Sequence, residues 1–168
     1  MSYARFAAMI AASTVVMFGL MYLNTYELDH AFFSQTRSWM ALLMGAAMAA
    51  IMLGFMLKMY EDKRLNLAIF AGAAVVFALS LWLVRSQETV GDVSYMKAMI
   101  PHHSIAIMTS ERAHIRDPRV RKLADGIIEA QFREIGQMQQ LITELSENPV
   151  PPEAPDLLPR DKAATAAK

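Results

Sequence analysis

The alternation of apolar and charged positions divides the chain into three regions. Residues 6–26, 38–57 and 65–84 contain no charged side chain, and each stretch is about 20 residues long. A helix rises about 1.5 Å per residue, so such a stretch crosses a hydrocarbon core of about 30 Å. The pattern predicts three transmembrane helices within residues 1–85. The first of them is too long for the apolar part of a cleavable signal peptide and is expected to stay in the mature chain.

Cationic residues near the ends of these stretches predict the orientation. Four flank one side of the predicted spans and two flank the other: Arg5, Lys58, Lys63 and Arg64 against Arg37 and Arg85. Because cytoplasmic loops are enriched in Lys and Arg, the N-terminus is expected in the cytoplasm. We therefore expect a multi-pass protein in a lipid bilayer, which in a bacterial cell would be the inner membrane. Its C-terminal region would face the periplasm or the cell exterior.

Residues 86–148 are rich in charged side chains and predict a separate, water-facing domain. Asp117 and Pro118 divide it into two helices, because Asp is a favourable N-cap and Pro is favoured at the first helical position. The predicted helices cover residues 92–114 and 118–146. Apolar residues recur at helical spacing on one face of the second helix: Leu123, Ala124, Ile127, Ile128, Ile135, Leu141, Ile142 and Leu145. Residues 149–168 are rich in Pro and Ala and predict a disordered tail.

A hairpin of two helices cannot cover its own apolar stripe. The predicted fold class is therefore all-α, with three transmembrane helices followed by a hairpin that completes a four-helix bundle by oligomerisation. A homo-oligomer, either a dimer or a larger assembly, is the simplest closed arrangement. Docking of the hairpin on the membrane region or on another membrane protein is the alternative.

Composition limits the chemistry that the domain can perform. The chain of 168 residues has 16 basic and 16 acidic residues and no Cys. Without a basic surplus, a nucleic-acid partner is not expected. Without Cys, a metal must be held by His, Met, carboxylate or amide groups, and the chain contains 14 Met.

Candidate metal ligands share one face of the predicted hairpin. At about 100° per residue, the first helix places one set of residues in a common sector, with His102 at its edge: Asp92, Met96, Met99, His103, Ser110 and His114. On the second helix, Gln131, Glu134 and Met138 interrupt the apolar stripe. Thioether and imidazole donors together suit copper, and they favour Cu(I) over Cu(II).

Antiparallel pairing of the two helices predicts which of these residues meet. Counting outward from a turn near residue 116 gives three expected pairs: His103 with Gln131, Met99 with Glu134 or Ile135, and Met96 with Met138. His102 and His103 diverge by about 100° on a regular helix, so both rings are not expected to bind one ion.

Several of the candidate ligands belong to a longer motif. Residues 99–108 read MIPHHSIAIM, with Asp92 upstream, and DPRVR follows at residues 117–121. Together with Gln131, Glu134 and Met138, this pattern resembles the family called domain of unknown function 305 over roughly residues 90–146. The resemblance implies a ferritin-like helical fold, an occurrence in bacterial envelopes and an association with copper binding and copper tolerance.

The same resemblance implies a set of ligands. It implicates Met99, His102, His103 and Met108 first, and then Met138. Helical phase places Met108 on the side of the helix opposite His103, so that Met108 is expected either to serve another subunit or to pack.

Methionines also follow the first two predicted spans at regular spacing. They are Met9, Met17 and Met21 in the first span, and Met40, Met44, Met48, Met52 and Met56 in the second, followed by Met59. This stripe suggests a relay for Cu(I) through the membrane. Ordinary helix packing is the preferred interpretation, because Met is an adaptable apolar residue. His30, with Glu27 and Asp29, is expected near the outer end of the stripe.

These features predict a membrane-anchored, non-enzymatic copper-binding protein that sequesters Cu(I) or hands it on. A structural or accessory subunit of a larger membrane complex is the first alternative, because the hairpin needs a partner. A di-iron ferritin-like oxidase is the second alternative, suggested by the ExxH spacing of Glu111 and His114.

Overall fold

A computed structural model describes residues 2–157. Within them the chain is all-helical, with five α-helices and no strand: α1 (Tyr3–Leu20), α2 (Gln35–Phe55), α3 (Lys63–Ser86), α4 (Asp92–Arg112) and α5 (Pro118–Glu147). As predicted, α1, α2 and α3 are each long and apolar enough to cross a membrane. Residues 149–157 are exposed and have no regular helix, and the rest of the predicted tail lies outside the described residues.

Polar side chains define where several helices begin. The side chains of Ser34 and Asp62 accept hydrogen bonds from backbone N–H groups in the first turns of α2 and α3. Asp117 does the same for α5, with Pro118 at its first position, as the sequence predicts. The Arg119 guanidinium also holds the pKa of the Asp117 carboxyl below its usual value.

α2 packs against both α1 and α3 in the membrane region. α1 lies close to α2 at Gly45, where an added Cβ would be 2.5 Å from Thr14 Oγ1. A side chain at position 45 would therefore force a shift in this packing. A buried cluster of Phe6, Leu53 and Tyr60 also joins α1, α2 and the segment before α3.

The first apolar helix ends earlier than the charge-free stretch predicts. The predicted span reached Tyr26, whereas α1 ends at Leu20 and turns follow. At this helix end, the Arg37 guanidinium donates a hydrogen bond of 2.7 Å to the carbonyl oxygen of Met21. Residues 21–34 therefore form a connection between α1 and α2, called the first loop below.

α4 and α5 form the predicted hairpin. Their interface is a buried cluster, which contains Met96, Ile100 and Ile107 of α4 with Ile135 and Met138 of α5. α4 continues through a buried proline but ends at residue 112 rather than 114, and α5 ends at residue 147 rather than 146. The hairpin is called the α4/α5 hairpin below.

The first loop provides α4 with a second packing partner. Ser104 is fully buried on α4, and its Oγ accepts a hydrogen bond of 2.7 Å from the backbone N–H of Tyr26. The Tyr26 ring packs edge-on against Phe132 of α5, with the ring centroids 5.9 Å apart. The Glu111 carboxylate raises the pKa of the Tyr26 phenol. The hairpin is thus docked on the membrane region of the same chain. This is one of the two predicted ways to cover its apolar surface.

One flank of α5 stays exposed in the single chain. Leu123 is 66% exposed, and Val120, Ile127 and Leu141 are also exposed. The sequence places Leu123, Ile127 and Leu141 on the buried face, which is wrong for the chain taken alone. These residues lie beside the buried stripe because α4 covers only one side of α5, and they form what is called the apolar flank below.

Candidate metal centre

His103 is the candidate ligand with the best-defined geometry. It lies on α4 and is 9% exposed. Its Nδ1 lies 3.0 Å from the backbone carbonyl oxygen of Met99, and its Nε2 lies 2.8 Å from Glu134 Oε2 on α5. A carbonyl oxygen can only accept, so Nδ1 carries a hydrogen. The ring is therefore fixed with Nε2 directed towards α5.

This orientation is the one that ligating histidines use. A metal-bound imidazole usually donates its second ring N–H to a backbone carbonyl or a carboxylate, which fixes the ring for the metal. The distance of 2.8 Å between His103 Nε2 and Glu134 Oε2 is that of a hydrogen bond. A metal bound at Nε2 would take the place of this hydrogen bond.

Three thioethers belong to the same hairpin interface as this imidazole. Met96 and Met138 are part of the buried cluster between α4 and α5, and Met99 packs against that cluster. The group of His103, Met96, Met99, Met138 and Glu134 is called the hairpin site below. It combines one imidazole, three thioethers and one carboxylate.

The register differs from the prediction at one point. The hydrogen-bond partner of His103 is Glu134, whereas Gln131 was expected opposite it; Gln131 is half-buried, three residues earlier on α5. Side chains tilt towards the N-terminus of their own helix. In a hairpin, His103 therefore leans away from the turn and Glu134 leans towards it, so the two side chains meet although their backbones lie at different levels.

His102 occupies a different environment. It is exposed, its ring centroid is 6.4 Å from that of His103, and it lines a cavity of about 450 Å³ between α4, the first loop and the start of α2. Three thioethers line the same cavity: Met99 of α4, Met21 of the first loop and Met40 of α2. We call this the interface cavity. Met99 therefore takes part in both the hairpin site and the interface cavity.

A cationic side chain also lines the interface cavity. The Arg37 guanidinium donates a hydrogen bond of 2.7 Å to the carbonyl oxygen of Met21 and lies 4.5 Å from the centroid of the Tyr22 ring. Both contacts hold the guanidinium next to the end of α1. A guanidinium has no lone pair to offer a metal. The soft donors that line the cavity are therefore its three thioethers and the His102 imidazole.

Three other predicted ligands lie apart from these groups. Asp92 is exposed at the first residue of α4, and His114 is exposed beyond its end. Within residues 2–157, neither shares a cluster of His and carboxylate ligand atoms with His103. Met108 is half-buried, and it neither packs against the buried cluster nor lines the interface cavity. Glu111 and His114 do not share one face of a helix, because α4 ends at Arg112. The spacing that suggests a di-iron oxidase is therefore not part of a helical ExxH motif.

Sequence reasoning missed two parts of this arrangement. Ser104 was recognised only as part of the MIPHHSIAIM motif, and helical spacing gives no sign of its contact with the first loop. Met21 and Met40 were recognised only as part of the membrane stripe, although both lie beside His102 in the interface cavity. Met21 ends the methionine series of the first span, and Met40 begins that of the second. This placement at the ends of the two series could have indicated that both residues lie near the hairpin.

Comparison with known proteins places the hairpin within a wider group. The family described as Domain of unknown function (DUF305) matches residues 92–167, a segment that begins at the first residue of α4. An uncharacterized protein of Acanthamoeba polyphaga mimivirus is 31% identical over 104 residues, which cover 58% of this chain and 68% of the viral protein. No solved structure matches the chain.

Proposed function

This chain belongs to the family of the domain of unknown function DUF305, and from that premise we propose that it is a membrane-anchored copper-binding protein. It binds Cu(I) in the α4/α5 hairpin and either sequesters the ion or hands it on. It is not an enzyme. The hairpin site and the interface cavity are the two places where its soft donors gather.

The orientation of His103 carries this proposal. Its Nδ1 is held by the carbonyl oxygen of Met99, which leaves Nε2 beside Glu134, at the interface that also contains the buried thioethers. Thioethers and imidazoles are soft to borderline donors that select copper, and Cu(I) in particular, over Mg²⁺, Ca²⁺ and Mn²⁺. A chain without Cys has no thiolate that could compete with them for the ion.

The interface cavity supports a route by which the ion leaves or enters. Met99 belongs to the hairpin site and lines the cavity, where His102, Met21 and Met40 supply further soft donors. Neutral thioethers hold Cu(I) without adding charge, so the ion can exchange between neighbouring donor sets. A relay farther along the methionine stripe of the membrane helices is a second step that the main proposal does not require.

Membrane location forms part of the proposal. Three helices long enough to cross a bilayer precede the hairpin. The distribution of Lys and Arg favours a cytoplasmic N-terminus and a hairpin that faces the periplasm or the exterior of a bacterial cell. A reporter fused to the C-terminus tests this side directly, since a signal confined to the cytoplasm would contradict it.

We also propose a homodimer formed through the apolar flank of α5. The first turns of α5 carry Arg119, Arg121 and Lys122, and its last turns carry Glu144 and Glu147. This is the reverse of the distribution that the helix dipole favours. Within one chain, Arg119 and Arg121 pair with the carboxylates of Asp117 and Asp125. In an antiparallel pair of α5 helices, each basic end meets the acidic end of the second copy.

Light scattering of the purified protein tests the dimer. Leu123→Glu combined with Leu141→Glu introduces charge into the apolar flank and is expected to give monomers. Leu157→Glu is the matched control, because Leu157 is 94% exposed and lies outside the helices. Dimers that persist in the double variant would contradict this interface.

Copper content tests the proposed function. The detergent-purified chain is loaded with Cu(I) under reducing, anaerobic conditions, and bound metal is measured after dialysis. We expect the wild type to retain Cu(I) and His102→Ala with His103→Ala to lose most of it. His114→Ala is the control, since this exposed imidazole lies outside both donor groups. Unchanged copper in the double variant would contradict the proposal and favour an accessory subunit of a larger membrane complex.

A further inference from the structure

The first loop contains a second group of ligand atoms, distinct from the hairpin site. Glu27, Asp29 and His30 each place one carboxylate oxygen or ring nitrogen within 4.8 Å of the others. Asp29 and His30 belong to the 3-10 turn Leu28–His30, and Glu27 immediately precedes it. Glu27 and Asp29 are exposed, whereas the residue exposure of His30 is only 4%. All three residues lie outside the segment that matches the family.

The buried imidazole is directed into this group. His30 Nδ1 lies 3.0 Å from Ser104 Oγ, and the serine hydroxyl can donate to Nδ1 or accept from it. The ring therefore keeps one orientation in both neutral tautomers. Within the described residues, Nε2 makes no hydrogen bond, and the nearest carboxylate oxygen is Glu27 Oε2 at 3.8 Å. When Nδ1 carries the hydrogen, the lone pair of Nε2 faces the carboxylates.

The spacing of these ligand atoms is one that a shared ion can bridge. Two ligand atoms that each lie about 2.1 Å from one tetrahedral ion are roughly 3.4 Å apart. The separation of 3.8 Å between His30 Nε2 and Glu27 exceeds a hydrogen bond but approaches that value. Small rotations of the two exposed carboxylate side chains close the remaining gap, while the imidazole stays fixed.

We propose that Glu27, Asp29 and His30 bind a borderline divalent cation of the zinc class, with His30 Nε2 as the nitrogen ligand. One imidazole and two carboxylates suit Zn²⁺, whereas Mg²⁺ and Ca²⁺ prefer all-oxygen sets and Cu(I) prefers sulfur. The two carboxylates balance the charge of the ion. Three protein ligands leave one position for water, as in other sites of this kind.

Such an ion would strengthen the docking of the hairpin on the membrane region. It would fix the turn that presents His30 to Ser104, next to the hydrogen bond from Tyr26 to the same hydroxyl. Because the ion would bind the docked arrangement in preference to the undocked one, it would stabilise the docked arrangement. The site would then couple divalent-cation supply to the geometry of the interface cavity.

Equilibrium dialysis of the full, detergent-purified chain against ZnCl₂ tests the proposal. Glu27→Gln with Asp29→Asn is expected to bind one zinc ion fewer per chain than the wild type, or to bind it at least about 10–100-fold more weakly. Both side chains are exposed, so the variant should fold. The control is Glu153→Gln with Asp156→Asn, which removes the same charge from another exposed segment and should bind zinc as the wild type does.

Two comparisons separate this site from the hairpin site. The variant with His102→Ala and His103→Ala should keep the zinc ion of the first loop, and the Glu27/Asp29 variant should keep its Cu(I). Unchanged zinc number and affinity in the Glu27/Asp29 variant would overturn the proposal, and so would an equal loss in the Glu153/Asp156 control. Failure of zinc binding would leave the copper proposal standing, because the two donor groups share no residue.

Discussion

Replacing Ser104 with Ala tests how the hairpin is held on the membrane region. The residue is fully buried, and its hydroxyl serves the backbone N–H of Tyr26 at 2.7 Å and the His30 imidazole at 3.0 Å. Each polar group left without a buried partner costs about 1–3 kcal/mol. Because one hydroxyl is the partner of two groups, we expect the docked arrangement to weaken by roughly 2–6 kcal/mol.

That loss corresponds to a change in the docking equilibrium of roughly 30- to 20,000-fold. Hydrogen exchange followed by mass spectrometry measures it, since amides of the first loop exchange faster when docking opens. Thr109→Ala is the matched control on the same helix, because the Thr109 hydroxyl is exposed and donates only to carbonyl groups of α4. Equal exchange in wild type and Ser104→Ala, or an equal increase in the control, would refute this account of docking.

Three further substitutions have expected outcomes. Met138→Leu keeps the side-chain volume, so the free energy of unfolding should change by less than about 1.5 kcal/mol. The same variant should bind Cu(I) about tenfold more weakly or worse, as measured by competition with a chelator. Gly45→Ala should destabilise the packing of α1 and α2 by about 1–3 kcal/mol in unfolding experiments, because its Cβ meets Thr14 Oγ1 at 2.5 Å; Gly54→Ala, with open space around it, should not. Glu134→Gln should lower Cu(II) affinity by about 10–100-fold and leave Cu(I) affinity nearly unchanged, since carboxylates favour the harder ion.

Much of the fold follows from local signals in the sequence. Three charge-free stretches predict α1, α2 and α3, and the cap formed by Asp117 and Pro118 predicts the start of α5. The end of α1 was predicted at Tyr26 instead of Leu20 because absence of charge does not reveal where a helix stops. The contact at that helix end is a hydrogen bond from Arg37, 16 residues away, to the carbonyl oxygen of Met21, and a run of uncharged residues does not reveal it.

The candidate site was less accessible to sequence reasoning than the fold. Helical phase placed Met96, His103 and Met138 correctly towards the hairpin interface. It did not identify Glu134 as the partner of His103, because side-chain tilt shifts contacts relative to backbone levels. The link from Ser104 to the first loop joins residues 78 positions apart, and no local period predicts such a contact.

X-ray absorption spectroscopy of the Cu(I)-loaded protein tests the central claim most directly, because it reports which atoms surround the metal. The geometry of His103 with Met96, Met99 and Met138 predicts a copper ion with both sulfur and nitrogen neighbours. His103→Ala should remove the nitrogen contribution or the bound copper itself. A spectrum with nitrogen and oxygen neighbours alone, or one unchanged by His103→Ala, would contradict the claim that the α4/α5 hairpin binds Cu(I) through His103 and thioethers.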